Sequence, residues 1–142
     1  MRKILILILL TLPYFTYAQK QGIKGQVFWL SGNQMPGPGK LSSPQQGIAR
    51  EVFIYNAANQ KDTPSQDGFF KEVNSVFVMK TTSSSDGSFK IKLPPGRYSV
   101  FVKEEKGLFA NLFDSEGCIN CVSVREKKYS WITITVDYEA AY

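Results

Sequence analysis

"SSSDGSFKIKLPPGRYSVFVKEE", residues 83–105, alternates apolar and polar side chains in two runs separated by turn residues. Asp86-Gly87 opens the first run. Glycine reaches positive φ without a steric penalty and aspartate caps its own backbone, so the pair marks a turn. Phe89, Ile91 and Leu93 then alternate with Ser88, Lys90 and Lys92. Successive strand side chains point to opposite faces, which gives this run one apolar and one charged face. Pro94-Pro95-Gly96 ends it, because neither proline can donate a ladder hydrogen bond. Tyr98, Val100 and Val102 resume the alternation beside Arg97, Ser99 and Lys103. The spacing predicts a β-hairpin with one buried face.

The same pattern recurs along the chain. "GIKGQVFWL" aligns Ile23, Gly25, Val27 and Trp29, and "REVFIYN" sets Val52 and Ile54 against Phe53 and Tyr55. "SVFVMKTT", "CVSVRE" and "WITITVDY" repeat it. Seven short strands separated by turn signals predict an all-β, antiparallel sandwich. Phe28, Phe101 and Trp131 fall on outward faces, so either some strands are buried on both sides or an aromatic patch is exposed. Only "KGLFANLF", residues 106–113, has helical spacing, enough for a turn or two. Residues 31–47 and 56–75 are rich in proline, glycine and polar residues and are read as two long loops.

Residues 1–18 have the layout of a secretory signal peptide: Arg2 and Lys3, an aliphatic run from Ile4 to Leu12, then Thr16-Tyr17-Ala18 before the expected cleavage. The run falls short of the roughly 20 residues that span a bilayer, so the remaining single domain, 19–142, is expected to be exported, periplasmic or secreted, with no membrane span. Loss of Arg2 and Lys3 lowers the formal charge from +5 to +3. Lys24, Lys40, Lys61, Lys71, Lys80, Lys90, Lys92 and Lys103 are scattered among acids along the chain. They read as a solvated surface, not the stripe of a nucleic-acid binder. The chain has no histidine, which removes the commonest general base and the commonest metal ligand.

"GIKGQV", "TTSSSDGSFKIKLPPGRYSVFV" and "WITITVDY" together resemble the carboxypeptidase regulatory-like domain of exported bacterial proteins. The matching positions are Gly22, Ile23, Gly25, Asp86, Gly87, Phe89, Leu93, Pro94, Gly96, Tyr98 and Val100, within residues 21–138. The resemblance implies a transthyretin-like (prealbumin-like) seven-stranded Greek-key β-sandwich. It also implies a non-catalytic binding or assembly module with no cofactor. The hydrolase of that fold, 5-hydroxyisourate hydrolase, relies on histidines that this chain lacks.

Cys118-Ile119-Asn120-Cys121 is the most distinctive motif. Two cysteines in an exported chain are expected to form a disulfide. The alternative, a thioredoxin-type thiol-disulfide oxidoreductase, needs the first cysteine at a helix N-terminus, whereas here strand residues follow the pair. A second alternative is a transthyretin-like carrier of a small ligand. Asp62, Asp67, Asp114 and Glu116 lack the dense spacing of a calcium loop and read as solvated turn residues, so no metal site is expected. The expected partner is a protein or glycan of the cell envelope, met by the long loops through Trp29, Met35, Pro36, Pro38, Phe69 and Phe70.

Overall fold

Every one of the seven alternating runs is a strand. In the computed structural model residues 20–39 and 45–142 are described. The expected signal peptide, 1–18, and residues 40–44 of the first long loop lie outside the described residues. The seven runs form β1 (Gly22–Asn33), β3 (Glu51–Asn56), β5 (Phe77–Thr82), β6 (Ser88–Lys92), β7 (Gly96–Glu104), β9 (Cys121–Val124) and β10 (Tyr129–Ala141). Three short strands bring the number to ten: β2 (Gln46–Gly47), β4 (Phe69–Phe70) and β8 (Gly107–Phe109).

Two sheets pack face to face. In the first, β1 lies between β10 on one side and β6 and β2 on the other. In the second the order is β4-β8-β7-β3-β5, with β9 pairing the other half of β7's edge. The expectation of a wholly antiparallel sandwich needs correction: β1 and β10 run parallel, from Gly22 beside Tyr129 to Asn33 beside Ala141. Alternation has a period of two in either direction, so it carries no information on strand polarity. The other pairings are antiparallel.

The inward-pointing alternates meet between the sheets. Ile23, Val27, Ile91, Ile134 and Val136 of the first sheet pack on Val52, Ile54, Tyr98, Val100 and Val102 of the second. The turn residues act as expected. Gly87 has φ +88°, and a Cβ there would lie 2.1 Å from the Val27 carbonyl oxygen, so only glycine fits. The Asp86 carboxylate accepts from the Ser88 hydroxyl at 2.6 Å and the Ser88 amide at 2.9 Å. These bonds hold its pKa below the usual carboxylate value. The expected hairpin is corrected: β6 pairs with β1 in the first sheet and β7 with β3, β8 and β9 in the second, so Pro94-Pro95 carries the chain from one layer to the other, a step that alternation cannot tell from a hairpin turn. The Tyr98 hydroxyl donates to the Pro94 carbonyl at 2.6 Å and closes this corner.

Segment 106–113 is not helical. Glu105-Lys106 form a tight turn between β7 and β8, and Gly107 follows it with φ +136°. Leu108 and Phe109 then pair with Phe70 and Phe69 of β4. Sheet pairing has overridden a local helical spacing only two turns long.

A second apolar cluster covers the outer face of the larger sheet. Phe101 is fully buried there with Phe70, Ala58, Ala110 and Ile119. Residues 56–75 and 110–119 lie over it, so β7 is buried on both faces from Tyr98 to Val102. Trp131 is the opposite case, 62% exposed on β10. Both outcomes anticipated for the outward aromatics therefore occur.

Candidate functional site

Of the six residues expected at a partner contact, three remain together at the surface. Met35, Pro36 and Pro38 are exposed beyond the end of β1. Trp29 is half-buried, its ring edge-on to Tyr138 at 5.3 Å and 6.0 Å from the Arg50 guanidinium, at one end of the core. Phe69 and Phe70 are corrected to core residues, 6% and 1% exposed. Asp67-Gly68 turns the chain with positive φ at both residues, the requirement of a tight hairpin, and Gln66 and Phe69 exchange backbone hydrogen bonds at 2.9 and 3.0 Å. The two phenylalanines that follow point to opposite faces. Phe69 meets Tyr138 at 5.0 Å in the main core, and Phe70 meets Phe101 at 5.4 Å in the second cluster.

Cys118 and Cys121 are joined by a disulfide, with Cα atoms 5.7 Å apart. The loop around it is held at several points. The Asp114 carboxylate accepts from the Cys118 and Glu116 amides at 2.9 Å each and pairs with Arg97. The Cys118 amide bond is the main reason that its pKa is lowered. Asn120 takes positive φ, 41°, which asparagine tolerates better than most residues. Its side chain accepts from the Leu112 amide at 3.0 Å and donates to the Val100 carbonyl at 3.1 Å. The cystine thus closes a loop already docked on β7. Replacing both cysteines by serine is expected to lower stability by about 2 kcal/mol, the chain-entropy value for so short a loop. A denaturant titration with and without reductant measures it.

The polar cluster at the Trp29 end joins the two sheets. Glu104, at the end of β7, accepts from Arg50 Nε at 2.9 Å and from the Tyr138 hydroxyl of β10 at 2.9 Å. Burial, with the Glu104 bond second, pushes the Tyr138 pKa up to about 12. Every partner in this cluster is used in holding the layers together. Among the described residues no group of three or more His, Cys, Asp or Glu side chains is placed to hold a metal.

The two sheets expose unpaired edges on the disulfide side. Among the described residues β9 pairs only with β7, and β10 only with β1. Between them lies a cleft of about 440 Å³, with Val122 and Ile132 in its floor and Cys121 beside it. Leu112, Phe113 and Trp131 form its rim, 55%, 45% and 62% exposed. The Ser130 hydroxyl donates to the Ser123 carbonyl and bridges the edges at one end. Asn111 Nδ2 caps the Thr135 carbonyl at 3.2 Å at the other. The edge of β10 is open between these bridges, roughly 17 Å at about 3.3 Å per residue.

A larger depression, about 990 Å³, follows Asp62–Asn74 and Lys106. Its walls come almost entirely from one loop and mix Asp62, Asp67 and Glu72 with Lys71 and Lys106, so it presents no single sign of charge. The exposed Val76, just before β5, and Phe77 and Met79 within it form another apolar strip. There Phe77 already packs on Tyr55 at 5.4 Å and Phe53 at 6.0 Å, and Lys80 guards the strand.

Sequence reading missed Leu112 and Phe113, whose i, i+4 spacing with Leu108 and Phe109 suggested a helix face. The chain matches no family model, no curated protein and no solved structure.

Proposed function

We propose that this chain is an exported, non-catalytic binding or assembly module of the carboxypeptidase regulatory-like type, which holds a protein of the cell envelope in the cleft between β9 and β10. The observation that carries the reading is the meeting of Leu112, Phe113 and Trp131 at two open sheet edges. Large exposed apolar groups grouped around a concave site mark contact surfaces. An extended segment laid along β10 would use its open backbone groups, while the rim takes alternate side chains. The disulfide-tied loop keeps the rim rigid, which lowers the entropy lost on binding. The disulfide also fits an oxidising compartment. Among the described residues no helix is long and apolar enough to cross a membrane.

The contact surface thereby moves from the long loops to the disulfide side, since 56–75 is occupied in covering Phe101. A double substitution, Leu112→Asp with Phe113→Asp, should weaken partner capture by about tenfold or more, the effect of losing one or two apolar anchors. Deletion of residues 34–39 should leave capture unchanged. Unchanged capture by the double variant, with loss in the deletion, would return the contact to the Met35 loop.

A further inference from the structure

Lysines dispersed in the chain converge in the fold. On the outer face of the first sheet Lys24 of β1 lies directly opposite Lys90 of β6, and Trp131 of β10 is its neighbour on the other side. Lys92 is two residues along β6 from Lys90 and therefore on the same face. Between it and Tyr129 comes Gly22, which adds no side chain. The Tyr129 ring fills that gap, with Lys24 Nζ 4.9 Å and Lys90 Nζ 4.5 Å from its centre. Trp131 stays 62% exposed beside them, its indole N–H donating to the Thr133 hydroxyl at 2.9 Å.

Like charges directly opposite each other weaken a sheet. Four other cations have carboxylate partners, Arg50 with Glu104, Lys80 and Lys103 with Glu51, and Arg97 with Asp114; what sets this face apart is that three lysines meet on it. Among the described residues no carboxylate comes within ion-pair distance of Lys24, Lys90 or Lys92. Asp86, at the far end of β6, is turned onto Ser88. Stacking on Tyr129 makes the cluster tolerable but leaves its charge unneutralised.

We propose that this face is a second binding surface, for an acidic polysaccharide. The face runs across three strands and is exposed at Lys90, Lys92 and Trp131, which suits a polymer and not a small anion. Its cations are lysines, compact point charges for single carboxylates, and not the guanidinium forks that grip phosphate in two places. Exposed Trp131 offers an apolar ring face against which a sugar ring can lie. The next row, Ser88, Gln26 and Thr133, is polar; each side chain already makes one bond within the fold, and the Gln26 amide oxygen and the Thr133 hydroxyl proton keep capacity for a sugar hydroxyl. The disulfide's preference for an oxidising compartment favours an envelope glycan over nucleic acid. Trp131 borders both this face and the β9–β10 cleft, whereas Lys24, Lys90, Lys92 and Tyr129 belong to this face alone.

The test is titration of the chain with polygalacturonate, neutral dextran and a single-stranded oligodeoxynucleotide at low salt, read by calorimetry and affinity electrophoresis. Polygalacturonate should bind, more weakly as salt rises, and dextran should not. Lys24→Gln with Lys90→Gln should weaken binding by about tenfold, with unchanged circular dichroism. Trp131→Ala and Lys92→Gln touch no core residue and should each weaken it several-fold, so a folding failure of the first variant would not decide the matter. The Leu112→Asp, Phe113→Asp variant should bind polygalacturonate as the parent does, which separates this surface from the cleft. Absence of polygalacturonate binding, equal binding of dextran, tighter binding of the oligonucleotide, or unaltered affinity in the lysine and tryptophan variants would each overturn the proposal.

Discussion

Truncation of Phe101 to alanine is expected to lower the free energy of unfolding by about 3–5 kcal/mol, the range for removing a buried aromatic ring. The ring is fully buried and packs on Phe70 at 5.4 Å and Tyr55 at 5.5 Å. The cavity cannot close easily, because its cover is pinned on several sides. The Ile119 amide donates to the Ala58 carbonyl at 2.9 Å, Gln60 to Gly117 at 2.9 Å, and Ala58 to the Ser99 hydroxyl at 2.8 Å. A domain of this size has only about 5–15 kcal/mol in total, so the variant should be marginal at growth temperature. Urea unfolding measures the loss, and limited proteolysis locates it: cleavage within 56–75 should accelerate before cleavage elsewhere. A loss below about 1 kcal/mol, typical of a surface position, would mean that this insertion is not a structural cover.

The second large effect concerns Glu104. Its side chain is 5% exposed and serves Arg50 and Tyr138 together. Glu104→Ala leaves a cation and a phenol without their partner. Breaking a fully buried pair costs about 3–5 kcal/mol, and the water that reaches Arg50 should reduce this to about 2–3. The same cluster sets an alkaline limit. Tyr138 has a pKa of about 12 in the folded chain against 10.0 for the free side chain, so folding favours the protonated phenol. That stabilisation is complete below pH 10 and is lost as pH rises from 10 towards 12. Phenolate difference absorbance should show Tyr138 titrating last in the parent, behind Tyr98 and Tyr142, which are also raised, and earlier in Glu104→Gln. The burial contribution remains in that variant. Coincident titration in both proteins would remove Glu104 as a cause.

How much could be read from residues alone follows from the range of each signal. The alternation of Phe89, Ile91, Tyr98 and Val100 is local and strong, so the strands and the two-layered class were legible. The parallel pairing of β1 with β10 joins the two ends of the domain, and no local pattern encodes it. Phe69 and Phe70 looked like loop aromatics because they lie in a polar stretch. Asp67-Gly68 just before them was the missed cue, the same turn pair that precedes β6. The lysines seemed dispersed because Lys24 and Lys90 are far apart in the chain, yet the β1–β6 register sets them face to face. The cleft was the least legible, since it is made by two edges and a loop whose spacing resembled a helix.

The most direct measurement is photo-crosslinking in native cells, with a photoreactive residue at position 113 and, in a second strain, at position 35. A partner seated between β9 and β10 gives a specific adduct from position 113 that disappears with Leu112→Asp, and none from position 35. An adduct from position 35 alone would contradict a cleft-bound partner and place the contact at the proline loop.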